Sequence, residues 1–256
     1  MATFHCEIPL MRACVWFGEE NDTNEGDRPL TASGFGDFPE DPDGVVEAGE
    51  GEPDVAFIPA LLRRRLSRAA RGMLHCAHRV APSDEGLRTV FASRHGEMHR
   101  TLAILKELHD GAPASPALFS LSVHNAVAGL WSIAHGSRGA SSAVAAGPDT
   151  FGWGLMEACA ASRAEPGQQV LYVYGDDRLP DMFQPYVTPE GGMHALALLL
   201  GRPGARRMRV SWDQDGRDDT PGISQSRHFI QALFGRGGGK PWTAQGGAWE
   251  WALEPW

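Results

Sequence analysis

Apolar positions along the chain alternate between two kinds of run. Residues 10–17 (LMRACVWF) are almost continuously apolar, which predicts a strand buried in a sheet. In residues 58–80 the spacing changes to that of a helix: Leu62, Leu66, Ala69 and Met73 fall on one face and Arg64, Arg68, Arg71 and His75 on the other, with a break expected near Ser67. A strand is predicted over 88–93 (RTVFAS), a turn at 94–96, and a helix over 97–109. A further helix spans 125–132, Gly136 and Gly139 interrupt it, and the small and β-branched residues 140–146 suit a buried strand. Asp149 or Thr150 is placed to cap a helix over 151–163. Residues 169–174 read as a core strand, 194–200 and 208–212 as a strand pair, and 223–234 as a helix. The tail AWEWALEPW fits an edge strand or a cover over an open face. Strands alternating with helices place the chain in the α/β class, with no internal repeat.

Charge adds a boundary to this pattern. The formal net charge is −9, but residues 19–54 hold 13 acids against the single Arg28, a net of −12, so the remainder carries about +3. The acidic stretch, rich in Gly and Pro, reads as a long solvated loop over 18–54. A body so weakly basic argues against a nucleic-acid groove. Cys6, Cys14, Cys76 and Cys159 have no CxxC spacing and are too few for a disulfide framework in 256 residues, so a reducing, cytoplasmic setting is expected. The first ten residues lack a basic, apolar leader, and no run of about 18 apolar residues predicts a transmembrane segment.

Several residues invite a catalytic reading. Ser93 and His95 lie close together in the sequence and invite a hydrolase pair, but no GxSxG turn surrounds them. His75, Cys76 and His78 form an HCAH cluster whose zinc site would need about two more ligands, so ordinary helix positions, with no metal, are the expectation. Cys159 lies about two turns inside the predicted helix, away from its N-terminal dipole, and reads as a small core residue. Residues 235–240 (GRGGGK) lack the Walker spacing, and Pro241 stands where Ser or Thr is needed.

Five stretches carry a resemblance: LLRRRLS (61–67), VFASRHG (90–96), RTLAIL (100–105), SPALFSLSVHNAVAG (115–129) and WSI (131–133). Together they resemble the stand-alone β-ketoacyl synthase N-terminal-like family, whose members are often called chain length factors of aryl polyene pigment clusters. The resemblance covers roughly residues 55–200. It implies a thiolase-like α/β fold consisting of a single N-terminal-type half, βαβαβαββ around one mixed sheet. The chain then divides into a first-strand region at 1–18, the acidic insertion at 19–54, and a synthase-like domain with a C-terminal extension at 55–256.

Residues 119–158 are laid out like the nucleophile region of such synthases, where a strand, a tight turn and a helix N-terminus present a cysteine. Aligned through Gly139 and Ala158, the nucleophile position falls on Pro148, which has neither a nucleophilic atom nor an N–H. No catalytic residue is therefore expected. The resemblance implies a non-catalytic subunit beside a catalytic synthase that carries Cys and two His and condenses malonyl units on an acyl carrier protein. Pro148, Asp149, Thr150 and Phe151 would then face the acyl tunnel, and Ser141, Ser142, Ala143, Val144 and Ala145 would carry the sheet across the heterodimer interface. Asn125 and Gly129 would be structural. Arg64, Arg68 and Arg71 are either a solvated face or the dock for the acidic carrier protein. No cofactor is implied. The rival readings are an independent acyltransferase or hydrolase using Cys159 or Ser93, and a carrier-binding module.

Overall fold

The apolar run near the N-terminus extends into β1 (Thr3–Phe17), the longest strand among the described residues. The computed structural model describes residues 3–18, 45–83, 86–187, 192–204, 206–216, 223–234, 242–244 and 247–255. After β1 come β2 (Val46–Glu50), α1 (Ala60–Arg63), α2 (Arg68–Val80) and β3 (Arg88–Ala92). Three helices follow: α3 (Met98–His109), α4 (Pro116–Phe119) and α5 (Ala126–His135). The chain continues as β4 (Ser141–Val144), α6 (Thr150–Ala164), β5 (Val170–Asp176) and β6 (His194–Leu200). It closes with β7 (Arg206–Asp213), α7 (Gln225–Leu233), β8 (Trp242–Ala244) and β9 (Gly247–Pro255). The nine strands of the described residues belong to one mixed sheet in the order β4-β3-β5-β6-β1-β7-β9-β8, with β2 paired to β1. Taken through β1, α2, β3, α5, β4, α6, β5 and β6, the chain follows the expected βαβαβαββ course, and the last strands widen the same sheet.

Two cores sandwich this sheet. One holds Phe151, Leu155 and Cys159 of α6, Phe229 and Leu233 of α7, and Trp249 and Trp251 of β9. The other holds Met73, Leu74 and Ala77 of α2 with Leu130 and Trp131 of α5. β1 supplies both. Cys6, Ile8, Leu10, Ala13, Val15 and Phe17 face the first core, whereas Cys14 and Trp16 face the second. The inward positions change from even to odd where the pairing with β6 shifts register between Leu10 and Arg12, because one extra residue turns every later side chain to the other face.

Local chemistry sets the helices. Ser67 ends the arginine-rich turn and caps α2, its Oγ accepting from Ala70 N at 3.0 Å. The predicted break is therefore a cap. α2 then lies close on the sheet: a Cβ added to Gly72 would stand 2.5 Å from the Trp16 ring.

Several sequence expectations change. The acidic stretch contains β2, parallel to β1 from Ala13↔Val46 to Phe17↔Glu50, so it is not loop throughout; its residues 19–44 lie outside the described ones. β6 and β7 do not pair. β1 runs between them, and the chain passes from one of its edges to the other at Pro9, where Gly201 N donates to Pro9 O at 2.9 Å and a Cβ on Gly204 would meet Pro9 Cβ at 2.4 Å. The aromatic tail is an interior strand, β9, flanked by β7 and β8. Among the described residues no helix is long and apolar enough to cross a membrane.

We expect Gly72→Ala to lower unfolding stability by about 1–3 kcal/mol, since the Trp16 ring is fixed in the core and the helix must lift. Urea denaturation compared with wild type measures it; an unchanged midpoint means that the helix–sheet contact is looser than described.

Candidate functional site

β1, β3, β4 and β5 run parallel to one another, so their carboxyl ends share one end of the sheet. In open α/β sheets that end is where ligands are held. Asp176, at the end of β5, organises it. Its carboxylate is 3% exposed and accepts from Ser93 Oγ (2.8 Å), Arg94 N (3.0 Å), His95 N (3.1 Å) and Tyr174 Oη (2.5 Å). Ser93 Oγ in turn accepts from Gly96 N at 2.8 Å, which folds residues 93–96 over Asp176. This disposes of the hydrolase reading of Ser93: its proton is committed to a carboxylate, and His95 meets that carboxylate through its main chain. Beside this loop lies a groove of about 320 Å³ lined by Ser67, Gly96, Glu97, His99, Arg100 and Asp177. Glu97 accepts from Ser67 Oγ at 2.6 Å and from Arg100 Nε at 2.7 Å, tying the α1–α2 junction to α3.

After β4 the chain makes the expected strand–turn–helix. Pro148 sits in a 3₁₀ turn (Gly147–Asp149) and is exposed, whereas Asp149, Thr150 and Phe151 are buried. Neither expected cap residue caps α6 with its side chain. Asp149 instead accepts from Trp249 Nε1 at 2.9 Å, and Thr150 Oγ1 accepts from Ala146 N and donates to Gly147 O at 2.7 Å. Burial raises the Asp149 pKa, opposed by the Trp249 hydrogen bond and the charge of Arg94. Phe151 packs against Tyr172, Tyr174, Phe229 and Trp251. Within the first turn of the helix, Gly152 N donates to Gln225 Oε1 at 2.7 Å, and a Cβ on Gly152 would meet the Trp249 ring at 2.7 Å. Gln225 and Trp249 thus close the α6 N-terminus from inside the fold. Neither was a sequence candidate. The only signal was the unusual run of tryptophans in the tail.

The remaining candidates do not converge. Cys159 is fully buried, and the Cys6 thiol beside it together with burial pushes its pKa well up, the opposite of an activated nucleophile. Within HCAH, Cys76 turns into the core with Sγ 3.6 Å from Ala195 O, and His75 Nδ1 accepts from Asp54 N at 3.0 Å. His78 instead meets His135 of α5, and its pKa is lowered by burial with His135 adding to the effect. Arg64 and Arg68 are exposed; Arg71 is half-buried, donates to Arg63 O at 2.9 Å and pairs with Glu52 at 3.7 Å. Residues 235–240 lie outside the described ones.

β4 has β3 on one side and, among the described residues, no strand on the other. The carbonyls of Ala140 and Val144 accept from Thr89 N and Ser93 N, so Ala140, Ser142 and Val144 turn their backbone groups toward β3. The N–H and C=O groups of Ser141, Ala143 and Ala145 consequently point away from it. Ser142 Oγ donates to Glu157 at 3.1 Å, and Ser141 Oγ accepts from Thr89 Oγ1 at 2.8 Å. On α5, Asn125 precedes the first turn without a side-chain cap, and Gly129 is exposed with no described atom beyond its own helix backbone and chain neighbours within 4 Å of where a Cβ would stand. Ile133, one turn further along that stripe, is 64% exposed.

Close to this end of the sheet, His194 is buried, with Nδ1 at 3.1 Å from Gly192 O and Nε2 at 2.7 Å from Ser226 Oγ. The carbonyl can only accept, so Nδ1 carries the proton and Nε2 accepts from Ser226. Burial, reinforced by Arg227, lowers its pKa to about 3. Its unfolded value is about 6.5, so its neutral form stabilises the fold above that pH, and the contribution is lost as pH falls from about 6.5 toward 3. His95 and His228, also lowered by burial, act in the same direction. We expect stability to fall between pH 7 and pH 5, with His194 contributing up to about 1.4 kcal/mol per pH unit. His194→Gln should flatten the slope of the urea midpoint against pH; an unaltered slope would show that His194 titrates normally.

Residues 38–252 match the model of the family described as "Beta-ketoacyl synthase, N-terminal domain". Among solved structures, the chain resembles one in the complex of the ketosynthase ApeO with its chain length factor ApeC from Xenorhabdus doucetiae, at 29% identity and a TM-score of 0.64, covering 76% of this chain and 81% of that one. It also resembles the ishigamide ketosynthase/chain length factor (18% identity, TM-score 0.50, 67% of this chain) and a β-ketoacyl synthase from Burkholderia phymatum STM815 (13%, 0.51, 72%). It spans 56% of the length of each of these two, and at such identities they speak for the thiolase-like fold alone. A search of curated proteins gives no match. With the family match covering well over half of its length, this chain belongs to the β-ketoacyl synthase N-terminal domain family.

Proposed function

We propose that this protein is a non-catalytic, chain length factor-like subunit that pairs with a catalytic β-ketoacyl-[acyl carrier protein] synthase. The observation that carries the reading is the closed N-terminus of α6. A synthase of this family needs a thiolate at that turn and backbone N–H groups open toward the acyl oxygen. Here Pro148 holds the turn, Gln225 takes the Gly152 N–H, and Trp249 covers both Gly152 and Asp149. Restoring a cysteine at 148 would still leave Gly152 N bonded to Gln225. The likeness to a chain of the ApeO–ApeC complex supports the same reading.

The partner face in this proposal is the outer edge of β4 with the outward stripe of α5. Unpaired strand groups at Ser141, Ala143 and Ala145 offer sheet continuation, as an exposed edge does. Gly129 fits there as well: an exposed mid-helix glycine costs about 1 kcal/mol relative to alanine and meets no close neighbour among the described residues, so its use is the close approach of a second surface. Exposed Leu105, Leu108, Phe119 and Val123 on the neighbouring segments add apolar area to cover. Pro148 is the member of the turn exposed toward a tunnel formed with the partner, and the buried Asp149, Thr150 and Phe151 hold it in place. Arg64 and Arg68, with Arg71 behind them, are the candidate contacts for an acidic carrier protein. Aryl polyene assembly in the cytoplasm is the pathway class and location that we assign.

Incubated alone with malonyl-carrier protein, the chain should release no CO₂ and form no condensation product, whereas with a co-expressed synthase it should alter product length; turnover by the isolated chain would sink the reading. Ala143→Pro removes an N–H that points away from β3. We expect it to leave the isolated chain folded and to weaken co-purification with the synthase at least tenfold. Gly129→Ala should stabilise the isolated chain by up to about 1 kcal/mol while weakening the same association; tighter association would remove α5 from the interface.

A further inference from the structure

The HCAH segment acquires a different partner once the chain is folded. α2 turns Cys76 inward and leaves His78 at its outer side, where α5 delivers His135 from 57 residues away. His78 Nδ1 and His135 Nε2 stand 3.4 Å apart. Two imidazole nitrogens bound to one tetrahedral metal at about 2.0–2.1 Å are separated by about 3.4 Å, the edge of that tetrahedron.

The orientation of both rings is fixed without a metal. His135 Nδ1 lies 3.3 Å from Trp131 O. The carbonyl can only accept, so His135 carries its proton on Nδ1 and presents the Nε2 lone pair toward His78. A backbone carbonyl on the far nitrogen is the usual arrangement behind a metal-bound histidine. The Trp131 ring stacks on His135 at 3.8 Å, and the Phe57 ring stacks on His78 at 4.0 Å and 12°. Both side chains are half-buried rather than sealed.

We propose that His78 and His135 form a two-histidine site for a borderline divalent cation, Zn²⁺, Ni²⁺ or Cu²⁺, that bridges α2 and α5. Imidazole pairs suit these ions and offer little to Mg²⁺ or Ca²⁺. On binding, His78 moves its proton from Nδ1 to Nε2 through solvent, so both donors are neutral and no net proton is released. Water takes the remaining positions. The site is independent of the subunit role proposed above, since it lies on this chain alone.

The test is titration of the untagged, full-length chain with ZnCl₂, NiCl₂ or CuCl₂ by calorimetry at pH 7.5. One equivalent should bind, and Zn²⁺ should raise the thermal midpoint, because the ion ties two helices that the unfolded chain separates. His78→Gln and His135→Gln should each weaken binding at least tenfold and abolish the thermal shift, while His75→Gln leaves both unchanged. Retention of wild-type affinity in either His78→Gln or His135→Gln overturns the proposal, as does loss of binding in His75→Gln. Should a variant prove unfolded by circular dichroism, the Cu²⁺ electron paramagnetic resonance spectrum of the wild-type chain decides: coupling to two imidazole nitrogens supports the site, and coupling to one or none rejects it.

Discussion

β1 must pair its backbone along its whole length, and the remaining architecture follows from how that is done. Fifteen residues in one strand expose more N–H and C=O groups than any single neighbour can satisfy. β6 covers residues 10–17 on one edge; β2 and β7 share the other, end to end. Leu10 is the point where β6 stops and β7 begins, which requires the chain to cross the strand there. The small residues Gly201 and Gly204 let it pass over Pro9. The register slip at the same place lets one strand feed both cores, so the two helical layers depend on a single irregularity of β1.

The same widening of the sheet determines what the α6 N-terminus can do. β7 extends the sheet beyond β1, β9 pairs with β7, and β9 thereby holds Trp249 under the turn that follows β4. α7, packed on that side, places Gln225 on the first turn of α6. A helix N-terminus carries unsatisfied donors and partial positive charge, and the Gln225 amide oxygen takes one of those donors from Gly152. The C-terminal strands therefore stabilise the fold and cover the N-terminus of α6. On the far side of the sheet, the β4 edge keeps outward-facing backbone groups that nothing in the described chain answers.

Legibility in the sequence varied with the range of the forces involved. The break at Ser67, the 88–93 strand, the α3 and α6 helices and the β5 strand depend on local spacing, capping and apolar runs, and each could be read directly. The pairing of β6 with β7 could not be, since adjacency in sequence is the usual guide and β1 intervenes. β2 was hidden because its acidic setting resembles solvated loop, although Val45 and the pairing with β1 make it a strand. The hydroxyl of Ser93 looked available until Asp176, 83 residues away, proved to hold it.

By itself the sequence determined the α/β class, the strand–turn–helix around Pro148 and the lack of a nucleophilic atom at that position, because these depend on periodicity and on the side chain present at one place. Tertiary structure alone decided that Gln225 and Trp249 fill the helix N-terminus, that Ser141, Ala143 and Ala145 turn outward, and that His78 faces His135. Those outcomes depend on which strands become neighbours. That choice is made by satisfying backbone hydrogen bonds and burying apolar faces over the whole chain at once, and no short window of residues contains it.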